Sequence, residues 1–108
     1  MSRSTLETLD RPLTSDQLAA VHVVMHLFVE EDLANGASAG QRLHCDVCAR
    51  PRPLPGFVLY GHHRLCNSCA TEYEVARMEG RVGSAGRFVR DRRISHAQST
   101  SLSRSTRT

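Results

Sequence analysis

The chain holds four cysteines, all in two C-x-x-C pairs: Cys45 with Cys48, and Cys66 with Cys69, with seventeen residues between the pairs. This arrangement constrains the fold more than any other feature. The stretch from Leu43 to Gly80 alone buries too little apolar surface for independent stability. A unit of that size draws on a metal, disulfides or a partner. A C-x-x-C turn points both sulfurs and its backbone N–H groups at one centre. Two such turns brought together complete a tetrahedron of thiolates, the preferred geometry of structural zinc.

Three other uses of the cysteines compete. A thioredoxin-type dithiol needs one pair after a buried strand in a larger α/β fold and gives no reason for a second pair. A disulfide framework suits an oxidising compartment. The opening "MSRSTLETLDRPL" has no apolar h-region, so a cytoplasmic chain is expected. Rubredoxin-like iron also takes four thiolates. The expected cofactor is one Zn2+ per chain, held by Cys45, Cys48, Cys66 and Cys69. His44, His62 and His63 border this set, and four sulfurs already close it. A closed site leaves no position for water and is therefore structural rather than catalytic.

Ahead of the cysteines, Thr14-Ser15-Asp16-Gln17 fits a capping box, with Thr14 as N-cap. The helix it opens is expected over residues 14–35, stopping at Gly36. Leu18, Val21, Val24, Met25, Phe28 and Val29 form a broad apolar stripe at helical spacing. Val23 and Leu27 lie outside it, so this amphipathic helix needs cover on two sides. A partner helix, self-association or burial between the finger and the tail would each supply it. His22 and His26, at i and i+4, have a spacing that can hold a metal, but a half-buried or partner-facing pair fits better. Glu30, Glu31 and Asp32 crowd the C-terminal end, where the macrodipole disfavours negative charge, and Arg42 or a partner is expected to compensate. The apolar run from Leu18 to Val29 is too short and too polar to span a bilayer.

"NGASAGQR" at 35–42 reads as a linker. The Pro-punctuated run through Pro51, Pro53 and Pro55-Gly56 cannot be helical. "FVLY" and "HRLC" around Gly61-His62 read as a hairpin, and a helix follows from the second cysteine pair to Gly80. Residues 1–13 are expected to be flexible, 43–80 to form the finger, and 81–108 to be a basic, largely disordered tail. That tail carries seven Arg against Asp91, whereas residues 45–80 carry four basic and four acidic side chains. Within it, "GRFVRDRRI" can form a short ordered element against the finger. Arg87, Arg90, Arg92 and Arg93 are the candidate contacts to nucleic acid or to an acidic protein surface.

Knuckle, hairpin and a helix carrying the second pair follow the order of a treble-clef finger. The spacing C-x2-C-x17-C-x2-C, with "LCNSC" at the second pair, resembles the GATA-type finger. This resemblance maps Cys45, Cys48, Cys66 and Cys69 onto that family's zinc ligands, with Leu65 and Asn67 also matching. "PRPLPGFVL" stands where the GATA loop carries a Trp and adjacent arginines, and this chain has no Trp. The spacing is also similar to that of the DksA/TraR regulators of bacterial RNA polymerase, although Ala49 stands where that family has Gly.

The expected fold is a small α+β, zinc-stabilised domain. In it, a treble-clef-like finger is preceded by one long α-helix and flanked by flexible termini. The expected function is that of a non-enzymatic, transcription-linked regulatory protein that binds DNA or the transcription machinery, with no membrane and no small-molecule substrate. Two alternatives stay open. One is a protein–protein adaptor or homo-oligomer working through Val23 and Leu27. The other is a thiol-based redox switch that releases zinc.

Overall fold

The computed structural model describes residues 11–94. Helix α1 spans Ser15–Ala34 and opens with the expected capping box. The Thr14 hydroxyl accepts from the Gln17 N–H at 3.2 Å, and the Gln17 side chain accepts from the Thr14 N–H at 2.8 Å. Gly36, at φ +103°, ends the helix in a conformation only glycine adopts freely. Two small antiparallel hairpins follow. β1 (Arg42–His44) pairs with β2 (Pro51–Pro53), and β3 (Val58–Tyr60) pairs with β4 (His63–Leu65). Helix α2 then runs over Asn67–Met78.

The β3–β4 hairpin falls where alternation and the Gly61-His62 turn place it. The β1–β2 hairpin around the first cysteine pair is not marked in the sequence, where linker composition and a proline run occupy its strands. Its strands are three residues each, in register Leu43↔Arg52, and are too short for a periodic signal. The proline run is tolerated because each of these strands is the edge of a two-stranded sheet.

The segment "GRFVRDRRI", expected to form a short ordered element against the finger, is ordered: residues 85–94 form a third helix, α3. Ser84 caps it, accepting from the Arg87 N–H at 3.2 Å. Phe88 and Val89 are buried, which is the physical reason the segment orders: two adjacent apolar side chains find the outer face of α2. The rest of the expected tail, 95–108, lies outside the described residues, as do residues 1–10 of the expected flexible N-terminus. Residues 11–13 are held in place. Leu13 is buried, and its N–H donates to the Glu79 carboxylate at 2.8 Å.

The core sits between the hairpins and α2 and is built from Leu65, Ala70, Tyr73, Ala76, Phe88 and the cysteines. Three rings step across it. Tyr60 meets Tyr73 edge-on at 4.8 Å, and Tyr73 meets Phe88 edge-on at 5.5 Å, which links hairpin, α2 and α3. The Tyr60 hydroxyl also donates to Glu74 at 2.7 Å, and burial next to that carboxylate pushes its pKa up.

α1 rests on this core by one edge only. Met25 is buried, and Leu18, Val21 and Val29 are half-buried. Val24 and Phe28, placed in the packed stripe by spacing, are instead 49% and 37% exposed. α2 offers a single neighbouring helix, too narrow to cover so broad an apolar arc. Among the described residues no helix is long and apolar enough to cross a membrane.

Candidate metal centre

Each cysteine is placed by a different local device. Cys45 follows β1, Cys48 closes the turn after it, Cys66 follows β4 and serves as N-cap of α2, and Cys69 lies in the first turn of that helix. The turn after Cys48 puts Ala49 at φ +57°, a left-handed conformation that costs about 1–2 kcal/mol for a residue with a Cβ. The Ala49 N–H donates to the Cys45 carbonyl at 3.0 Å, which closes the loop around the first two sulfurs.

The four sulfurs lie within 4.8 Å of one another, in a group containing only cysteines. This is the scale of a single-ion site, where metal–sulfur bonds are about 2.3 Å. None of the four forms a disulfide. Cys45, Cys66 and Cys69 are buried, and Cys48 is half-buried. The Sγ of Cys45 accepts from the N–H groups of Val47 and Cys66, each at 3.3 Å. Such backbone donors orient the sulfur and disperse its charge. The position of Cys66 and Cys69 at the start of α2 adds the favourable end of the helix dipole.

Burial pushes the Cys45 thiol up. Cys66 is pushed down to about 5, first by the hydrogen bond from the Cys69 thiol and further by the charge of Arg52. Cys69 donates that bond and is buried, and both effects push it up. Of these three, Cys66 is the sulfur readiest to lose its proton. Holding all four deprotonated in this small volume requires a cation. Arg52 supports that charge balance. Its Nε is buried without a hydrogen-bond partner among the described residues, and its other end reaches Ser68 at 3.4 Å. The donor set, its burial and its N–H donors are those of a four-cysteine metal site, consistent with a zinc finger.

The remaining sequence candidates distribute unevenly. His22 turns back to the Leu18 carbonyl at 2.9 Å, and His26 pairs with Glu30 at 3.2 Å, so the two do not face a common centre. Arg42 makes no ion pair with the acids that end α1. Asp32 instead accepts from the Gly56 N–H at 2.8 Å. Val23 and Leu27 are 60% and 52% exposed. The four arginines split into two pairs. Arg92 lies over the Phe88 ring at 5.1 Å and pairs with Glu72 at 3.3 Å, while Arg93 reaches Asp46. Arg87 and Arg90 are exposed and form no ion pair with the described residues. Arg90 and His63 flank an open cleft of about 320 Å3 between α3 and the β3–β4 turn.

Sequence reasoning missed three residues that hold the site in place. Asp46, inside the first C-x-x-C, accepts from the Arg64 N–H at 2.7 Å and thereby fastens the knuckle to β4. Asn67, inside the second pair, donates to the carbonyl oxygens of Met25 at 2.9 Å and Gly56 at 3.2 Å. Gly56, at φ +92°, packs closely against Asn67 and Val29. The one available signal was Asn67's match to the "LCNSC" pattern, which named the residue without its role.

The chain matches no family model, no curated protein and no solved structure. The likeness to GATA-type and DksA/TraR-type fingers therefore rests on the spacing and residues of the two cysteine pairs.

Proposed function

We propose that this chain is a non-enzymatic, zinc-stabilised regulatory module that holds a protein partner on the outer side of α1. One observation carries this reading: Val23, Val24, Leu27 and Phe28 are large apolar side chains on one helix, and all are exposed. A contiguous apolar surface of this kind on a small domain marks an interaction site. Zinc suits the four-thiolate donor set, and a closed set leaves the ion a structural role. The test compares capture of a defined partner by the wild type and by Leu27→Glu at equal zinc content. Loss of capture in the variant supports the reading, and unchanged capture refutes it.

Transcription-linked nucleic-acid binding is the second reading. It is favoured by Arg87 and Arg90, which stand exposed and form no ion pair among the described residues, with Arg90 lining one cleft with His63 of the hairpin. Phosphate contacts by these residues would position a duplex without reading its sequence. Affinity would fall steeply with salt, whereas that of a mainly apolar helix interface with a few ion pairs at its rim falls far less. A salt titration separates the two readings.

A further inference from the structure

We infer that the partner on α1 is a basic amphipathic helix, seated along the groove between α1 and α2 with its Lys or Arg side chains against Glu30 and Glu31. This rests on the protein-binding reading above and names the chemistry of the partner. Ala20, Val23, Val24, Leu27 and Phe28 are all exposed. They stand at i, i+3, i+4, i+7 and i+8, the repeat by which one helix lies along another. Beside them runs an open groove of about 420 Å3, walled by Val21, Val24 and Phe28 of α1 and by Met78 of α2. α1 is 20 residues long, about 30 Å, which gives an occupant helix several turns of contact.

Charge decides what sits there. α1 contains Asp16, Glu30, Glu31 and Asp32 and no Lys or Arg. Asp32 is turned inward to Gly56, so Glu30 and Glu31 are the acids at the exposed end of the apolar strip. They flank a second apolar hollow formed by Val24, Leu27 and Phe28. Among the described residues Glu30 pairs with His26 alone, and the last turn of α1 holds no basic residue. The negative end of the helix dipole lies at the same place. A cationic side chain from a partner satisfies all three features at once.

The same charges oppose other occupants. A second copy packed parallel would align Glu30 and Glu31 with their own equivalents. Packed antiparallel, it would bring Asp16 against them. The chain's own basic segment, 95–108, has Leu102 as its one large apolar residue and cannot present a stripe.

The test uses two synthetic 18-residue helical peptides with the same leucine stripe, one with Lys and one with Glu at the flanking positions. Each is titrated into the zinc-loaded full chain by fluorescence anisotropy. The Lys peptide is expected to bind about tenfold more tightly, the sum of a few partly exposed ion pairs. Leu27→Glu should abolish that binding, and Glu30→Lys/Glu31→Lys should invert the preference between the peptides. Equal binding of the two peptides overturns the inference, as does indifference to the charge reversal. A stable dimer of the wild type that dissociates with Leu27→Glu also overturns it. If neither peptide binds while a native partner is still captured through Leu27, the basic-helix inference falls and the adaptor reading stands. If Leu27→Glu leaves both peptide binding and native capture untouched, both fall.

Discussion

Arg93, on the last described turn of α3, reaches across to the turn between the first two cysteines. Its Nε donates to the Asp46 carbonyl at 2.9 Å, and its guanidinium stands 3.8 Å from the Asp46 carboxylate. The helix that orders beyond the finger is therefore tied to the loop that presents Cys45 and Cys48. Metal occupancy and α3 docking share one residue.

Arg93→Ala should loosen α3 without removing metal. The side chain is 61% exposed, so the loss is about 1 kcal/mol or less. Amide exchange at Phe88 and Val89 should accelerate while metal content stays at the wild-type level. Chelation should accelerate the same amides in the wild type, although α3 contributes no ligand. Unchanged exchange on chelation would show that α3 docks independently of the knuckle.

Cys66→Ser should unfold the finger rather than merely weaken it. Structural zinc supplies about 10–16 kcal/mol in comparable peptides, more than a core this small provides. Cys66 is also the N-cap of α2, and its N–H donates to Cys45. Circular dichroism should show loss of helix, and elemental analysis loss of zinc. A folded, metal-free variant would contradict the structural role assigned to the ion.

Gly56→Ala should be among the most damaging single substitutions outside the cysteines. A Cβ there would lie 2.5 Å from Val29 Cγ2 and 3.0 Å from Asn67 Nδ2, on a backbone at φ +92°. The strain and the forced separation of α1 from α2 together should cost about 2–4 kcal/mol. Thermal denaturation of the zinc-loaded chain measures this, and a loss under about 0.5 kcal/mol would refute the close packing.

If the chain binds duplex DNA, Arg87→Ser/Arg90→Ser should flatten the slope of log affinity against log salt by about two units, near 0.9 per phosphate lost. Arg92 and Arg93 should contribute less, because Glu72 and Asp46 already engage them. Their removal should act on the docking of α3 instead. Equal slopes for the wild type and the Arg87/Arg90 variant would leave the basic face without a phosphate contact.

What was legible in the sequence was local. The spacing Cys45-x-x-Cys48 and Cys66-x-x-Cys69 names the cluster because a C-x-x-C turn converges its own sulfurs. Thr14 and Gln17 name the start of α1 because a capping box closes within four residues, and Gly61-His62 marks the β3–β4 turn for the same reason. Tertiary structure decided the rest. Apolar periodicity put Val24 and Phe28 in the packed stripe, but hydrophobic burial has no direction of its own, and the narrow face of α2 covered Val21 and Met25 and left the others in solvent. Phe88 could order an arginine-rich segment only because Tyr73 stood ready to receive it. Arg92 and Arg93 differ from Arg87 and Arg90 in nothing the sequence shows. The helix phase that docking imposed turned one pair toward Glu72 and Asp46 and left the other exposed.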